Sequence, residues 1–300
     1  VTHEGLPHLD EDDRPLADAL RRTGADVTPA IWSDARVDWP GFDLVVMRSC
    51  WDYDGRVTEF RAWLDALEAG GARVVNPVPA LRWNLDKATF LADLRDRGVA
   101  IVPTVVVEPG TSRTLASLLE EAGWDEAVVK PSVSLDAHST WRVRRSGAGP
   151  EADDRAGPPT DLEALFRSAM SAAPLLVQRY QPEIETDGEW SLVFLAGELA
   201  HTVRKVPPRG EFRVQSQYGG GKVREEASEE LQADARRTIA AAEAACGESF
   251  TYARVDGVRT DEGFLLMELE VLDPSLYLDV APRSVESARD VLRAAADSAR

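Results

Sequence analysis

The chain has 300 residues, of which 44% are hydrophobic and 29% charged, and its formal net charge is −18. That length supports two or three subdomains with real cores, and the acidic balance argues against a nucleic-acid backbone or an anionic membrane as main partner. Two distant cysteines, Cys50 and Cys246, show no CxxC pattern, which makes a disulfide framework or zinc site unexpected and fits a reducing cytoplasm, and apolar runs such as DLVVM and FLLM are too short to cross a bilayer.

In chain order, the sequence opens at Val1 without methionine or a signal-like segment, which leaves room for lost residues of a first strand. PLADALRRTG (15–24) has helical spacing with acids in front and glycine behind. FDLVVMRS reads as a short buried strand, VTEFRAWLDALEAGG as an amphipathic helix stopped by glycines, and ARVVNP as the next strand. This alternation predicts a small open α/β unit over residues 1–80, whose ligands would sit past the carboxyl ends of its strands. Arg48, Ser49, Asp52 and Tyr53 lie just past such an end, either as a surface turn or as part of a site.

A second unit spans 81–177. NLDKATFLADLRDRG (84–98) is a helix, VAIVPTVVV (99–107) a strand, SLLEEAG a short helix and EAVVKP a strand ending near Lys130. The loop PSVSLDAH separates it from a returning strand in STWRV. RSGAGPEADDRAGPPT (145–160) reads as a mobile surface loop, followed by a helix in DLEALFRSAM and a strand in PLLVQRY. The third unit, 178–300, contains GEWSLVFLAGELAHTVRKVP, two strands around the turn Ala196-Gly197. SEELQADARRTIAAAEAA (228–245) is a helix with Ser228 as N-cap. FTYARVDGVRTDEGFLLMELEVL is a second hairpin around Asp261-Glu262-Gly263.

That last hairpin carries Glu268 and Glu270 inside an apolar run. Residues two apart on a strand share a face, so both carboxylates sit side by side, with Leu269 and Val271 on the opposite face. Like charges so close repel, which calls for something positive between them. Asp256, on the partner strand, can reach the same face. Three hard oxygen donors suit Mg²⁺, which prefers phosphate oxygens as further ligands; the alternative is a solvated hairpin face. Lys87 and Lys130 each project either into a cleft or into solvent. Arg213, before a glycine run, is an anion clamp or part of a flexible loop.

The order of these parts resembles the ATP-grasp superfamily, in its glutathione-synthetase-like branch, over essentially the whole chain. The segments VDG…MELEVLDPS, NLDK, VVKP and VQRY carry the resemblance. It implies an ATP-grasp fold, α/β with α+β character in the C-terminal lobe, behind an N-terminal open α/β pre-domain. On this reading 1–80 is the pre-domain, 81–177 the central subdomain with a mobile loop, and 178–300 the C-terminal subdomain. It further implies that Lys87 and Lys130 contact ATP phosphates and that Gln178, Arg179 and Tyr180 form the segment reading adenine. Glu189 or Glu183 would accept the ribose hydroxyls. Arg213 would act in catalysis on the transferred phosphoryl group. Asp256, Glu268 and Glu270 would bind two Mg²⁺.

One departure concerns the loop after the second lysine. Many relatives place several glycines there, whereas PSVSLDAHST has none, leaving Ser132, Ser134 and Ser139 as donors; His138 either approaches the phosphates or is an ordinary loop residue. A narrower resemblance, in VTHEGLP, VMRSCWDYDGRVTEF and GEWSLVF…GEFRVQSQYGGG, is to the cyclo-ligases that close D-cycloserine from O-ureido-D-serine. It implies a cytoplasmic ligase with a small amino-acid-like substrate held by Arg48, Ser49 and Ser275, without nucleic-acid or membrane partners, and open to homo-oligomer formation. The rivals are an intermolecular amino-acid or peptide ligase and a non-catalytic ATP-binding regulator.

Overall fold

The computed structural model describes residues 1–146, 149–152 and 161–298. Helix α1 (Arg14–Arg22) begins with Pro15 in its first turn, where a missing N–H costs nothing. Asp13 stands at its N-cap position but makes no cap hydrogen bond, because its carboxylate is committed to Arg48 and Ser49. Strands β1 (Val45–Val46) and β2 (Val74–Val75) pair in parallel and are shorter than the sequence suggests. Between them α2 (Val57–Ala69) turns Phe60, Trp63, Leu64 and Leu67 inward, at helical spacing, onto Trp32 and Met47.

An unexpected helix, α3 (Val78–Asn84), follows Pro77. The helix expected from Asn84 begins three residues later as α4 (Lys87–Asp96), because Asp86 caps it by accepting from Ala88 N–H at 2.9 Å. Then come β3 (Thr104–Val107), α5 (Leu115–Ala122), β4 (Glu126–Pro131), β5 (Trp141–Ser146), β6 (Gly149–Ala152), α6 (Leu162–Ala172) and β7 (Leu175–Arg179). The five strands make an antiparallel sheet in the order β3-β7-β4-β5-β6. Apolar residues of α5 and α6, such as Leu118 and Phe166, pack on its inner strands. Of the loop expected over 145–160, residues 145–146 and 149–152 are paired strand; the remainder lies outside the described residues.

A short α7 (Glu183–Thr186) leads into β8 (Glu189–Leu195), β9 (Glu198–Val206), β10 (Gly221–Arg224), α8 (Glu229–Cys246), β11 (Tyr252–Thr260) and β12 (Gly263–Glu270). These strands form a second five-stranded antiparallel sheet, ordered β10-β9-β8-β11-β12. Ala196 and Gly197 both take positive φ, 48° and 80°, as a two-residue hairpin turn of this twist requires. One sheet face is apolar. There Val255, Leu266, Leu269 and Val271 pack against Leu231, Ala235 and Ile239 of α8 and against Phe90, Leu91 and Leu94 of α4. The helix α9 (Ser284–Asp297), for which the sequence reading holds no expectation, returns to pack on α1 through Val285, Ala288 and Leu292.

Candidate active site

Pairing of β11 with β12 sets Asp256 opposite Glu268 and Arg254 opposite Glu270, so four charged residues share the face away from the apolar core. On the other side, β8 brings Ser191 opposite Asp256, and β9 brings Lys205 opposite Glu189. The register shifts at Asp256/Gly257, which requires a glycine there. A Cβ on Gly257 would lie 2.3 Å from the Leu265 carbonyl oxygen and 2.4 Å from the Phe264 ring.

The positive charge demanded by the paired glutamates is supplied by side chains. Arg254 Nε donates to Asp256 Oδ2 at 2.9 Å while its Nη2 donates to Glu270. Lys87 Nζ lies 3.1 Å from Glu268 Oε1, and Lys205 Nζ is hydrogen-bonded to Glu189 and 3.7 Å from Asp256. The balance is uneven. Burial works to raise Glu268, but Lys87 and Lys130 outweigh it and hold the carboxyl below its usual value. Glu270 is pushed up to about 8, by burial first and then by Glu268 and Asp256, against the pull of Arg254. Arg254 and Lys205 escaped the sequence reading. The signal was available, since strand alternation puts Arg254 on the face of Asp256.

This charged face is the floor of a cleft of about 520 Å³ between the two large sheets. Lys87, Lys130, Ser134, Gln178, Arg179, Tyr180 and Glu189 line it, as do Arg213, Ser275, Asp256, Glu268 and Glu270. Lys130 is buried and, among the described residues, has no carboxylate within ion-pair distance; burial lowers its pKa. Ser132 and Glu183 are not in the cleft wall. Ser132 is instead a backbone tie, its carbonyl accepting from Lys87 N–H at 2.9 Å and its N–H donating to Pro174. Glu183 begins α7 and has one buried carboxylate oxygen without a partner. Arg213 reaches the cleft wall but is occupied by Glu211, to which Nε and Nη2 donate at 3.0 and 2.7 Å, and it stacks 3.8 Å over Tyr218.

The glycine-free loop lies across the cleft. Three of its residues, Asp136, Ala137 and Ser139, hold positive φ of 49°, 55° and 54°, a conformation costly to side-chain-bearing residues. It is held from three sides. Lys87 Nζ donates to the Ser134 carbonyl at 2.5 Å, Gln217 donates to the Asp136 carbonyl at 3.2 Å, and His138 Nδ1 lies 3.0 Å from Asp54.

At the pre-domain end, the 273–279 loop is fixed by residues that the sequence reading either assigned to substrate or passed over. Arg48 and Ser49 are buried and do not line the cleft. Both are tied to Asp13, and Arg48 Nη2 donates to the Pro274 carbonyl at 2.7 Å. They therefore brace the loop bearing Ser275, and Arg48 Nη1 is buried without a hydrogen-bond partner among the described residues. Asp12 accepts from the Ser275 hydroxyl at 3.0 Å and from the N–H groups of Tyr277, Leu278 and Asp279. Two buried asparagines clamp the end of β12. Asn84 donates to Leu269 and accepts from Val271 and Leu272, while Asn76 donates to Tyr252 and Val271.

Among the described residues no three His, Cys, Asp or Glu side chains already share a metal-sized site, since Arg254 lies between Asp256 and Glu270. The donor set itself is all hard oxygen, and the raised Glu270 marks a deficit of positive charge, so the residues fit Mg²⁺. Also among the described residues, no helix is long and apolar enough to cross a membrane.

Two stacked antiparallel sheets around such a cleft define an ATP-grasp ligase. The fold matches a D-alanine–D-alanine ligase from Bacillus anthracis solved in complex with ATP, at TM-score 0.66 and 15% identity over 98% of this chain and 96% of that one. It matches the crystal structure of D-cycloserine synthetase DcsG at TM-score 0.85 and 29% identity, over 100% of this chain and 98% of that one. The model for the N-terminal domain of D-cycloserine synthetase DcsG matches residues 1–76. In sequence, the chain is 32% identical over 279 residues to the cycloserine biosynthesis protein DcsG of Streptomyces lavendulae, covering 90% of this chain and 89% of that protein. The chain belongs to the DcsG family of ATP-dependent ligases.

Proposed function

We propose that this enzyme activates a carboxylate with ATP and Mg²⁺ and closes O-ureido-D-serine to D-cycloserine. The observation that carries this reading is the end-to-end likeness to DcsG, which includes the pre-domain as well as the nucleotide-binding lobes. Lys130, buried without a counter-ion, and Lys87 hold the phosphates. Gln178, Arg179 and Tyr180, at the end of β7 where the chain passes between the two sheets, read the adenine. Glu189 faces the ribose; Glu183 lies off the cleft wall. Asp256, Glu268 and Glu270 would hold two Mg²⁺, whose charge would neutralise the phosphates during transfer.

The substrate carboxylate attacks the γ-phosphate, giving an acyl phosphate and ADP. Arg213, which must leave its contact with Glu211 to do so, meets the charge on the moving phosphoryl group, and Arg254 lines the same cleft. The nitrogen bonded to the ureido oxygen then attacks the acyl carbon of the same molecule, and phosphate leaves. A five-membered ring results, and water releases the carbamoyl remnant as CO₂ and ammonia. Both reacting groups belong to one molecule, so their proximity needs no second substrate site.

A second reading, intermolecular ligation, is favoured by the fold shared with D-alanine–D-alanine ligase. Kinetics separate the two. Ring closure predicts ADP release that saturates in one amino-acid substrate and is not accelerated by added free amines. ADP release that requires a second amino acid would replace the first reading with the second.

A further inference from the structure

Among the described residues, the buried acids around the cleft are answered, with one exception. Asp13 pairs with Arg48, Asp256 with Arg254 and Lys205, Glu189 with Lys205, and Asp12 accepts four hydrogen bonds. Asp273 is 3% exposed and lines the cleft. Among the described residues its carboxylate accepts one hydrogen bond, from Cys50 N–H to Oδ2 at 3.1 Å, while its backbone carbonyl accepts from Trp51 Nε1, and no Lys, Arg or His lies within ion-pair distance. Arg48 attracts it from farther off; its Nε and Nη2 are taken by Asp13 and the Pro274 carbonyl, and its buried Nη1 makes no hydrogen bond, to Asp273 or to any other described residue. Its carboxyl is pushed up to about 7, chiefly by burial. A buried carboxylate without a counter-ion is costly to maintain for packing alone.

The cleft is also polar along its length. Lys205 and Arg254 stand on the sheet floor, and Lys87 of α4 and Lys130 of β4 gather about Glu268, while Asp273 and Ser275 stand on the loop that abuts the pre-domain, where Arg254 Nη1 donates to the Ser275 carbonyl at 2.9 Å. An amino acid entering this field points its carboxylate to the cations and its ammonium to the loop. We infer that Asp273 is the counter-ion for the α-ammonium of the substrate, and so selects amino acids over acids that lack the amine.

This rests on the ring-closure reading, and it adds a reason for that outcome. Ring closure leaves the α-amine untouched. Paired with Asp273 the amine stays protonated, its lone pair is held by the proton, and it cannot attack the acyl phosphate of another molecule.

The test compares O-ureido-D-serine with its deamino analogue, 3-(ureidooxy)propanoate, by ATP- and Mg²⁺-dependent ADP release from wild type and Asp273→Asn. Asparagine keeps an acceptor for the Cys50 N–H. Wild type is expected to prefer the amine-bearing compound by about 100-fold or more in kcat/KM, as sites built around a buried polar contact do. In Asp273→Asn that preference should fall below about fivefold, while KM for ATP stays within about twofold. An undiminished preference in the folded variant overturns the inference alone. If that variant does not fold, wild type and Asp273→Glu decide: equal use of both compounds by wild type overturns the inference, as does a preference undiminished in a folded Asp273→Ala, whereas a strong wild-type preference that Asp273→Glu retains supports it. Absence of ADP release by wild type with O-ureido-D-serine overturns the ring-closure reading and this inference with it.

Discussion

Lys130 holds a buried ammonium with no carboxylate within ion-pair distance among the described residues; burial outweighs the attraction of Glu268 and lowers its pKa, so on the proposed reading its charge serves an incoming anion. Lys130→Met is therefore expected to raise the Kd for ATP at least about tenfold while leaving unfolding free energy unchanged or higher by about 1 kcal/mol. Calorimetric ATP affinity equal to wild type would make this lysine structural. Glu268→Gln removes one charge with little change of shape and releases Lys87. Turnover should drop by about two orders of magnitude or more with the fold retained, and near-normal ADP release by the folded variant would remove Glu268 from the metal set. Glu270 gives a pH signature in the nucleotide-free protein. Its folded pKa of about 8 lies above the ordinary 4.5, so between those values the native state keeps a proton that the unfolded chain has released. Raising pH through that window favours unfolding. Glu270→Gln should match wild type in stability near pH 4.5 and exceed it increasingly toward pH 8, as read by denaturant midpoints; a gap that shrinks with pH would contradict the assignment.

At the scale of elements, the β11–β12 hairpin shows what a sequence can and cannot disclose. Two-residue alternation was enough to put Glu268 and Glu270 on one face and Leu269 and Val271 in the core, and the pairing adds Asp256 as expected. The same alternation includes Arg254, but a cation beside three acids reads as ordinary surface charge until the register is known. Arg48 and Ser49 sit at a strand end, where ligands commonly lie, yet tertiary contacts turned them toward Asp13. No local pattern encodes a partner 35 residues away. Helix α9 is alanine-rich, and its buried stripe of Val285, Ala288 and Leu292 is thin because α1 covers it closely. Gly257 is the hairpin's tightest point. Gly257→Ala drives a methyl group against the Leu265 carbonyl and should cost about 3 kcal/mol or more, with ADP release lost as Asp256 shifts. A variant with wild-type thermal stability would show that this strand crossing is loose.

Across the whole molecule, three regions converge on one cleft. The pre-domain contributes Asp12 and, through Arg48, the brace of the 273–279 loop; the central sheet contributes Lys130 and Gln178; the C-terminal sheet contributes the charged floor. The glycine-free loop ties them together by touching Asp54 of the pre-domain and Gln217 of the C-terminal lobe. On the proposed reading a nucleotide and a small amino acid share this one enclosure, and the enclosure is what would make intramolecular attack competitive with water and with foreign amines. The central claim is the product. Mass spectrometry of an incubation of the purified enzyme with ATP, Mg²⁺ and O-ureido-D-serine tests it most directly. The account predicts D-cycloserine, with ADP, phosphate and ammonia released in equal amounts and no added amine required. A dipeptide, or ADP formation without the ring, would contradict it.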